Sequence, residues 1–240
     1  MQIIPVLDLK AGQAVHAVRG RREQYAPVQG VLGSGEEAVA LALAYRARLG
    51  CYTCYVADLD AIAGREGHRD ILRILAAEGL TLWVDAGVST PEAGQALIEM
   101  GISKIIIGSE TLPTANQLSV LATHLPPQTL ILSVDLLTGR LAAPSGIESP
   151  WQLVSLAAEA GINDVILLDL ARVGAAAGPP LALLNSLQPQ FPNLAFYAGG
   201  GVRHRADLDA LAQAGASGAL IATAFHRGVL TAGDVRAYQG

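Results

Sequence analysis

The chain has 240 residues, of which 51% are hydrophobic and 15% charged, with a net charge of −5. That balance supports a large core and argues against disorder. Basic residues are scattered apart from Arg19, Arg21 and Arg22, so neither nucleic acid nor an anionic membrane is an expected partner.

No run of about 18 apolar residues is present, so no membrane span is expected. The opening MQIIPVLDLK is too short and too soon charged for a secretory signal, and a cytoplasmic location is expected by default. Two cysteines exclude a disulfide framework. Cys51 and Cys54 form a C-x-x-C inside CYTCYVAD, which reads as a buried strand. Residues three apart on a strand point to opposite faces, so two core cysteines are favoured over a redox or metal half-site.

In chain order, the apolar, β-branched runs lie at 3–7, 52–57, 80–85, 104–108, 130–135, 164–169, 194–199 and 218–222. Between most of them run Ala/Leu-rich segments with helical spacing, for example 36–50, 69–79, 91–101, 150–161 and 205–215, each ending in Gly. Strand–helix alternation with near-continuous apolar strands predicts parallel strands covered by helices. Eight such units in this length predict a (β/α)8 TIM barrel. A doubly wound open sheet is the rival. It would more often carry fewer strands and a Gly-rich turn after the first, where this chain has Asp-Leu-Lys.

The chain repeats itself. VLDLKAG (6–12) is echoed by SVDLLTG (133–139), which sets Asp8 against Asp135. YVADLDAIAG (55–64) echoes ILLDLARVGA (166–175), setting Asp58 against Asp169. Residues 83–109 echo 197–223 at a constant offset of 114, so Gly87 meets Gly201 and Gly101 meets Gly215. Three collinear matches predict one domain of two half-barrels, about 1–125 and 126–240.

Asp8 and Asp135 then end the first and fifth strands, opposite each other at the C-terminal rim where barrel active sites are built. Two carboxylates across a mouth suit acid–base work if burial or a like charge raises the acid above the usual carboxylate value near ~4. Capping of a loop is the structural alternative for each. The small residues after the third and fourth strands (Ala86, Gly87, Gly108, Ser109) and after the seventh and eighth (Gly200, Gly201, Ala222, Thr223) let backbone N–H groups approach an anion. Two pseudo-symmetric phosphate sites are therefore predicted. Asp85 would oppose the first of them if it points inward. Of the two lysines, Lys104 falls at the wrong end of its strand, which leaves Lys10 near the mouth. No metal-binding histidine spacing and no G-x-S-x-G is present. A metal-free, cofactor-free proton-transfer enzyme on a small phosphorylated substrate remains.

IPVLDLKAGQAV, VADLDAIAGREGHRDIL and GGGVR resemble the HisA/HisF family of histidine-biosynthesis half-barrel enzymes over nearly the whole chain. The first strand fits the HisA branch, the aminoimidazole carboxamide ribotide isomerases, better than the synthase branch. The resemblance implies Asp8 as general base and Asp135 as general acid of an Amadori rearrangement. Lys10, Arg19 and Asp169 are expected to contact substrate, and the substrate to carry two phosphates.

The sequence departs from the family where it would grip that substrate. Leu168, Val173 and Ala175 replace Thr, Asp and Thr after the sixth strand, and the loop after the fifth strand lacks its Trp. His16 replaces an Arg, Asp85 a Gly and Ala222 a Gly. Three readings therefore stand: the histidine-pathway isomerase; a paralogue acting on another phosphorylated metabolite, for example in one-carbon-carrier (tetrahydromethanopterin-type) cofactor biosynthesis; and a non-catalytic phosphometabolite-binding protein. The 20–35 loop has the length and Gly content of a lid or of a plain surface loop. Oligomeric state is not legible.

Overall fold

In the computed structural model, which describes residues 1–143, 146–175 and 177–238, the eight apolar runs become eight parallel strands joined in a ring. They are β1 (Gln2–Lys10), β2 (Thr53–Asp58), β3 (Thr81–Asp85), β4 (Lys104–Gly108), β5 (Leu130–Leu137), β6 (Asp164–Asp169), β7 (Ala195–Gly199) and β8 (Gly218–Ile221). Each pairs with its neighbour in sequence, and β8 pairs with β1 to close the barrel, with Gln2 opposite Gly218. The helices α1 (Ala38–Ala44), α2 (Arg69–Ala77), α3 (Pro91–Glu99), α4 (Gln117–His124), α5 (Pro150–Glu159), α6 (Leu181–Leu187), α7 (Arg205–Gln213) and α8 (Ala232–Arg236) follow the strands in turn. The fold is the (β/α)8 barrel expected from strand count, and the open sheet is excluded. None of the described helices is long and apolar enough to cross a membrane.

The two-residue period of the strands sorts side chains into two cores. Ile4, Tyr55, Trp83, Ile106, Ile131, Ile166 and Leu220 fill the barrel. Their sequence neighbours Ile3, Val56, Leu82, Val84, Ile105, Leu132, Val165 and Ala219 face outward, where Leu41, Leu72, Leu75, Leu121, Leu153, Leu184 and Leu211 cover them. Inside, Trp83 meets its repeat counterpart Tyr197 edge to face at 4.8 Å. Cys51 and Cys54 both belong to the outer core. They do not split between faces as expected, because β2 begins only at Thr53 and Cys51 lies on the chain leading into it. Burial pushes the Cys51 thiol up to about 12, the environment of an inert thiol.

The duplicated phrase has a local physical cause. After β1 the chain turns back through Gln13–His16, with Lys10 opposite Gln13. After β5 it turns back through Arg140–Leu141, with Leu137 opposite Arg140. The two loop residues are Ala11-Gly12 (φ 50° and 79°) and Thr138-Gly139 (φ 54° and 77°). Two consecutive left-handed residues make the type I′ turn whose twist matches antiparallel strands, and Gly at the second place relieves the strain. The phrase thus writes the same hairpin at the tops of β1 and β5, its turn three and four residues beyond each aspartate.

Two helix starts, those of α3 and α5, use the same device. Thr90 accepts from the Ala93 N–H and Ser149 from the Gln152 N–H, each followed by Pro at the first helical position. The 20–35 loop is pinned to the barrel at several points. Val28 donates its N–H to Ala14 at 3.0 Å, and Val31 donates to the His226 carbonyl at 2.9 Å.

Candidate active site

Parity along each strand decides what reaches the barrel mouth. Asp8 continues the inward line of Ile4 and Val6. Asp135 continues that of Ile131 and Ser133. Asp85 continues that of Trp83. All three carboxylates line one cavity of about 480 Å³. Its apolar wall is formed by Leu137, Leu168, Leu170 and Val173, and beside it the rim carries Gly200, Gly201, Ala222 and Thr223.

Asp135 is 4% exposed and densely hydrogen-bonded. The Ser133 hydroxyl donates to Oδ1 at 2.7 Å, while the Ser109 hydroxyl and the Glu110 N–H each donate to Oδ2 at 3.3 Å. These donors favour the ionised form, yet burial outweighs them and raises its pKa to about 7. The Asp8 carboxylate has no hydrogen-bond partner among the described residues and remains partly open to the cavity. Its surroundings are still dense enough that burial pushes it up to about 7. The Arg22 guanidinium pulls it down less strongly, and Asp85 pushes it up. Asp85 rises to about 6 for the same leading reason, although the Gly87 N–H donates to its Oδ1 at 3.1 Å and the Tyr55 hydroxyl to its Oδ2 at 3.4 Å. Three carboxyls near neutrality in one pocket are the condition for one to give a proton while another takes one. No group of three or more His, Cys, Asp or Glu among the described residues is arranged to hold a metal ion.

The structure places other sequence-based candidates elsewhere. Asp169 sits on the outward parity of β6, with Val165 and Leu167. It accepts from the Ala171 N–H at 3.1 Å and from Arg172 Nε at 2.9 Å, so it caps a turn and does not line the cavity. Asp58, its repeat counterpart, is also buried outside the cavity, where it accepts from the Ala61 and His68 N–H groups. Lys10 turns its ammonium to the Arg22 carbonyl at 2.6 Å and anchors the loop. Arg19 is exposed and lines no part of the cavity; its backbone N–H binds the Val173 carbonyl at 2.8 Å. Arg22, three residues on, does reach the mouth, where it pairs with Glu110 and lines the cavity together with Arg203 and Arg227. Lys104 lies at the opposite end of the barrel, bound to Asp164 at 2.5 Å. Gly200, Gly201, Ala222 and Thr223 line the cavity, whereas their counterparts Ala86, Gly87, Gly108 and Ser109 do not. In the loop after β5, which has no Trp, residues 144 and 145 lie outside the described residues.

Arg22, Glu110 and Tyr55 were not singled out from sequence. Glu110 directly follows the small-residue Gly108-Ser109 step, and Tyr55 shares the inward line of β2 with Ala57. Those positions were readable signals. The pairing of Arg22 with Glu110 spans 88 residues and was not.

Residues 2–231 match the model of the family described as "Histidine biosynthesis protein". The chain is 31% identical to an uncharacterized protein of Methanocaldococcus jannaschii, over 96% of this chain and 95% of that one. It is 30% identical to a Listeria welshimeri protein named 1-(5-phosphoribosyl)-5-((5-phosphoribosylamino)methylideneamino) imidazole-4-carboxamide isomerase, over 98% and 97%. A Streptococcus thermophilus protein of the same name is 27% identical over the full length of both. By barrel, by rim and by match over nearly its whole length, the chain belongs to the histidine biosynthesis protein family.

Proposed function

We propose that this protein is an isomerase that converts a phosphorylated aminoaldose to its aminoketose by proton transfer between Asp8, Asp135 and the substrate. The observation that carries the reading is the pair of inward carboxyls at the tops of β1 and β5, each raised to about 7 within one cavity. The names of the relatives support the reaction class.

Asp135, in its protonated form, gives its proton to the ring oxygen as the C1–O bond opens, leaving an iminium at C1. Its serine donors steady the carboxylate that results. Asp8, unpartnered and facing the cavity, takes the C2 proton, and the electron pair moves into the C1–C2 bond to quench the iminium. The enolamine then loses its hydroxyl proton and gains one at C1, so the product is an isomer with no net change in protons. The substrate phosphate sits against Gly200, Gly201, Ala222 and Thr223. There the short helical turn Thr223–His226 offers its first N–H groups, and Arg227 lines the cavity.

The imidazole-carboxamide ribotide of the relatives is the first substrate to test, with Asp8→Asn and Asp135→Asn as controls. Turnover by the wild type that both variants lose is the expected result. A folded wild type without turnover favours the second reading, an isomerase of another phosphorylated metabolite. The wall of Leu137, Leu168, Leu170 and Val173 favours that reading, because it offers no polar grip to a carboxamide. Binding of phosphate esters with no turnover of any candidate would make the protein a phosphometabolite binder.

A further inference from the structure

The two ends of the cavity are built from repeat-related residues and are chemically opposite. At the β7–β8 end, Gly201 and Ala224 both line the cavity. At the β3–β4 end, their counterparts at the offset of 114 are Gly87 and Glu110. Both of these N–H groups are already bound. Gly87 donates to Asp85 Oδ1 at 3.1 Å, and Glu110 donates to Asp135 Oδ2 at 3.3 Å. The first half fills its own anion position with side-chain carboxylates.

The residue opposite Asp85 in the repeat is Gly199, where a Cβ would lie 2.9 Å from Leu168. The β7 end thus keeps a small residue while the β3 end carries an acid. Asp85, Asp135 and Glu110 gather at that end, and Arg22, the cation beside them, is paired with Glu110. A phosphate placed there would meet carboxylates and find two amides occupied.

We infer that the cavity takes a substrate with a single phosphate, and that the other end of this substrate presents an N–H donor, neutral or cationic, to Asp85 and Glu110. The inference rests on the proposed function for the seat of that phosphate at β7–β8. It separates this protein from relatives whose name specifies two phosphoribosyl groups.

Calorimetry with three sugar phosphates tests it, using probes that lack the anomeric amine and so are not turned over. Glucosamine 6-phosphate is expected to bind tightest, glucose 6-phosphate about ten-fold more weakly, and fructose 1,6-bisphosphate no better than glucose 6-phosphate. Asp85→Gly, which restores the residue type found at the repeat position, is expected to abolish the amine preference and raise bisphosphate affinity about ten-fold. Asp85→Asn, which keeps the shape, is expected to reduce the amine preference if the glycine variant does not fold. A bisphosphate that binds the wild type tighter than glucose 6-phosphate, or no amine preference in the wild type, overturns the inference. Competition by inorganic phosphate separates the two levels. If phosphate competes and the bisphosphate still wins, only the inference fails. If neither phosphate nor any sugar phosphate binds, the phosphate seat and the inference fail together.

Discussion

The two ends of the barrel treat their carboxylates in opposite ways. At the N-terminal end, Asp164 meets Lys104 at 2.5 Å and the Tyr197 hydroxyl at 3.4 Å, so its charge is neutralised in place. At the C-terminal mouth, Asp8, Asp85 and Asp135 share one cavity, none of them in an ion pair among the described residues. The first arrangement holds strands together. The second costs stability and keeps protons available near neutral pH. One fold thus spends charge on cohesion at its base and stores it for chemistry at its rim.

The sharpest way to break this comparison is at the rim. Asp8→Asn and Asp135→Asn should each lower turnover by about 10²–10⁴-fold with the fold intact, as steady-state rates and circular dichroism would check. Retained turnover in either variant removes that residue from the proton path. At the base, Lys104→Met should destabilise by roughly 1–3 kcal/mol, because Asp164 is left half-buried without its cation, and should leave turnover unchanged. Denaturant titration reads the first and kinetics the second.

Asp85→Asn should do the reverse. The pKa of Asp85 is raised from 3.8 to about 6 in the folded state. Its protonated form therefore supports folding fully below about pH 4, and that support is lost as the pH climbs through about 6. Asparagine does not ionise and should gain roughly 1–2 kcal/mol over wild type at pH 8 and little at pH 4. Equal stability of the two proteins at pH 8 would show that Asp85 is not strained there. The smallest effect is expected from Arg22→Ala. Arg22 lowers the pKa of Asp8, so its removal should shift the acid limb of the rate–pH profile to higher pH. A shift toward lower pH would contradict the placement of Arg22 beside the base.

Much of this organisation was legible in the sequence because it follows from local rules. Strand count fixed the barrel. The two Asp-Leu-x-x-Gly phrases set Asp8 and Asp135 at the ends of β1 and β5, while the hairpins they write appear only in the backbone. Strand alternation, counted from Ile166 and Leu168, places Asp169 outside, whereas the family resemblance implied a substrate contact for it. What the sequence did not disclose depends on contacts between distant segments. Lys10 was near the mouth as read, but the loop carbonyl of Arg22 captures its ammonium. The phosphate role expected of the β3–β4 end changed because Asp85 folds back onto the Gly87 amide and Asp135 takes the Glu110 amide.

The edge-to-face pair in the barrel interior has a practical consequence. The chain has two tryptophans, and their environments differ sharply. Trp83 is buried directly beneath Asp85 on the same inward line of β3, whereas Trp151 is 37% exposed on α5. The two indoles should therefore emit at different wavelengths, the buried one to the blue. A change in charge at the mouth perturbs Trp83 and leaves Trp151 as an internal reference. The protein thus carries its own optical gauge of site ionisation, readable without ligand, label or knowledge of the substrate.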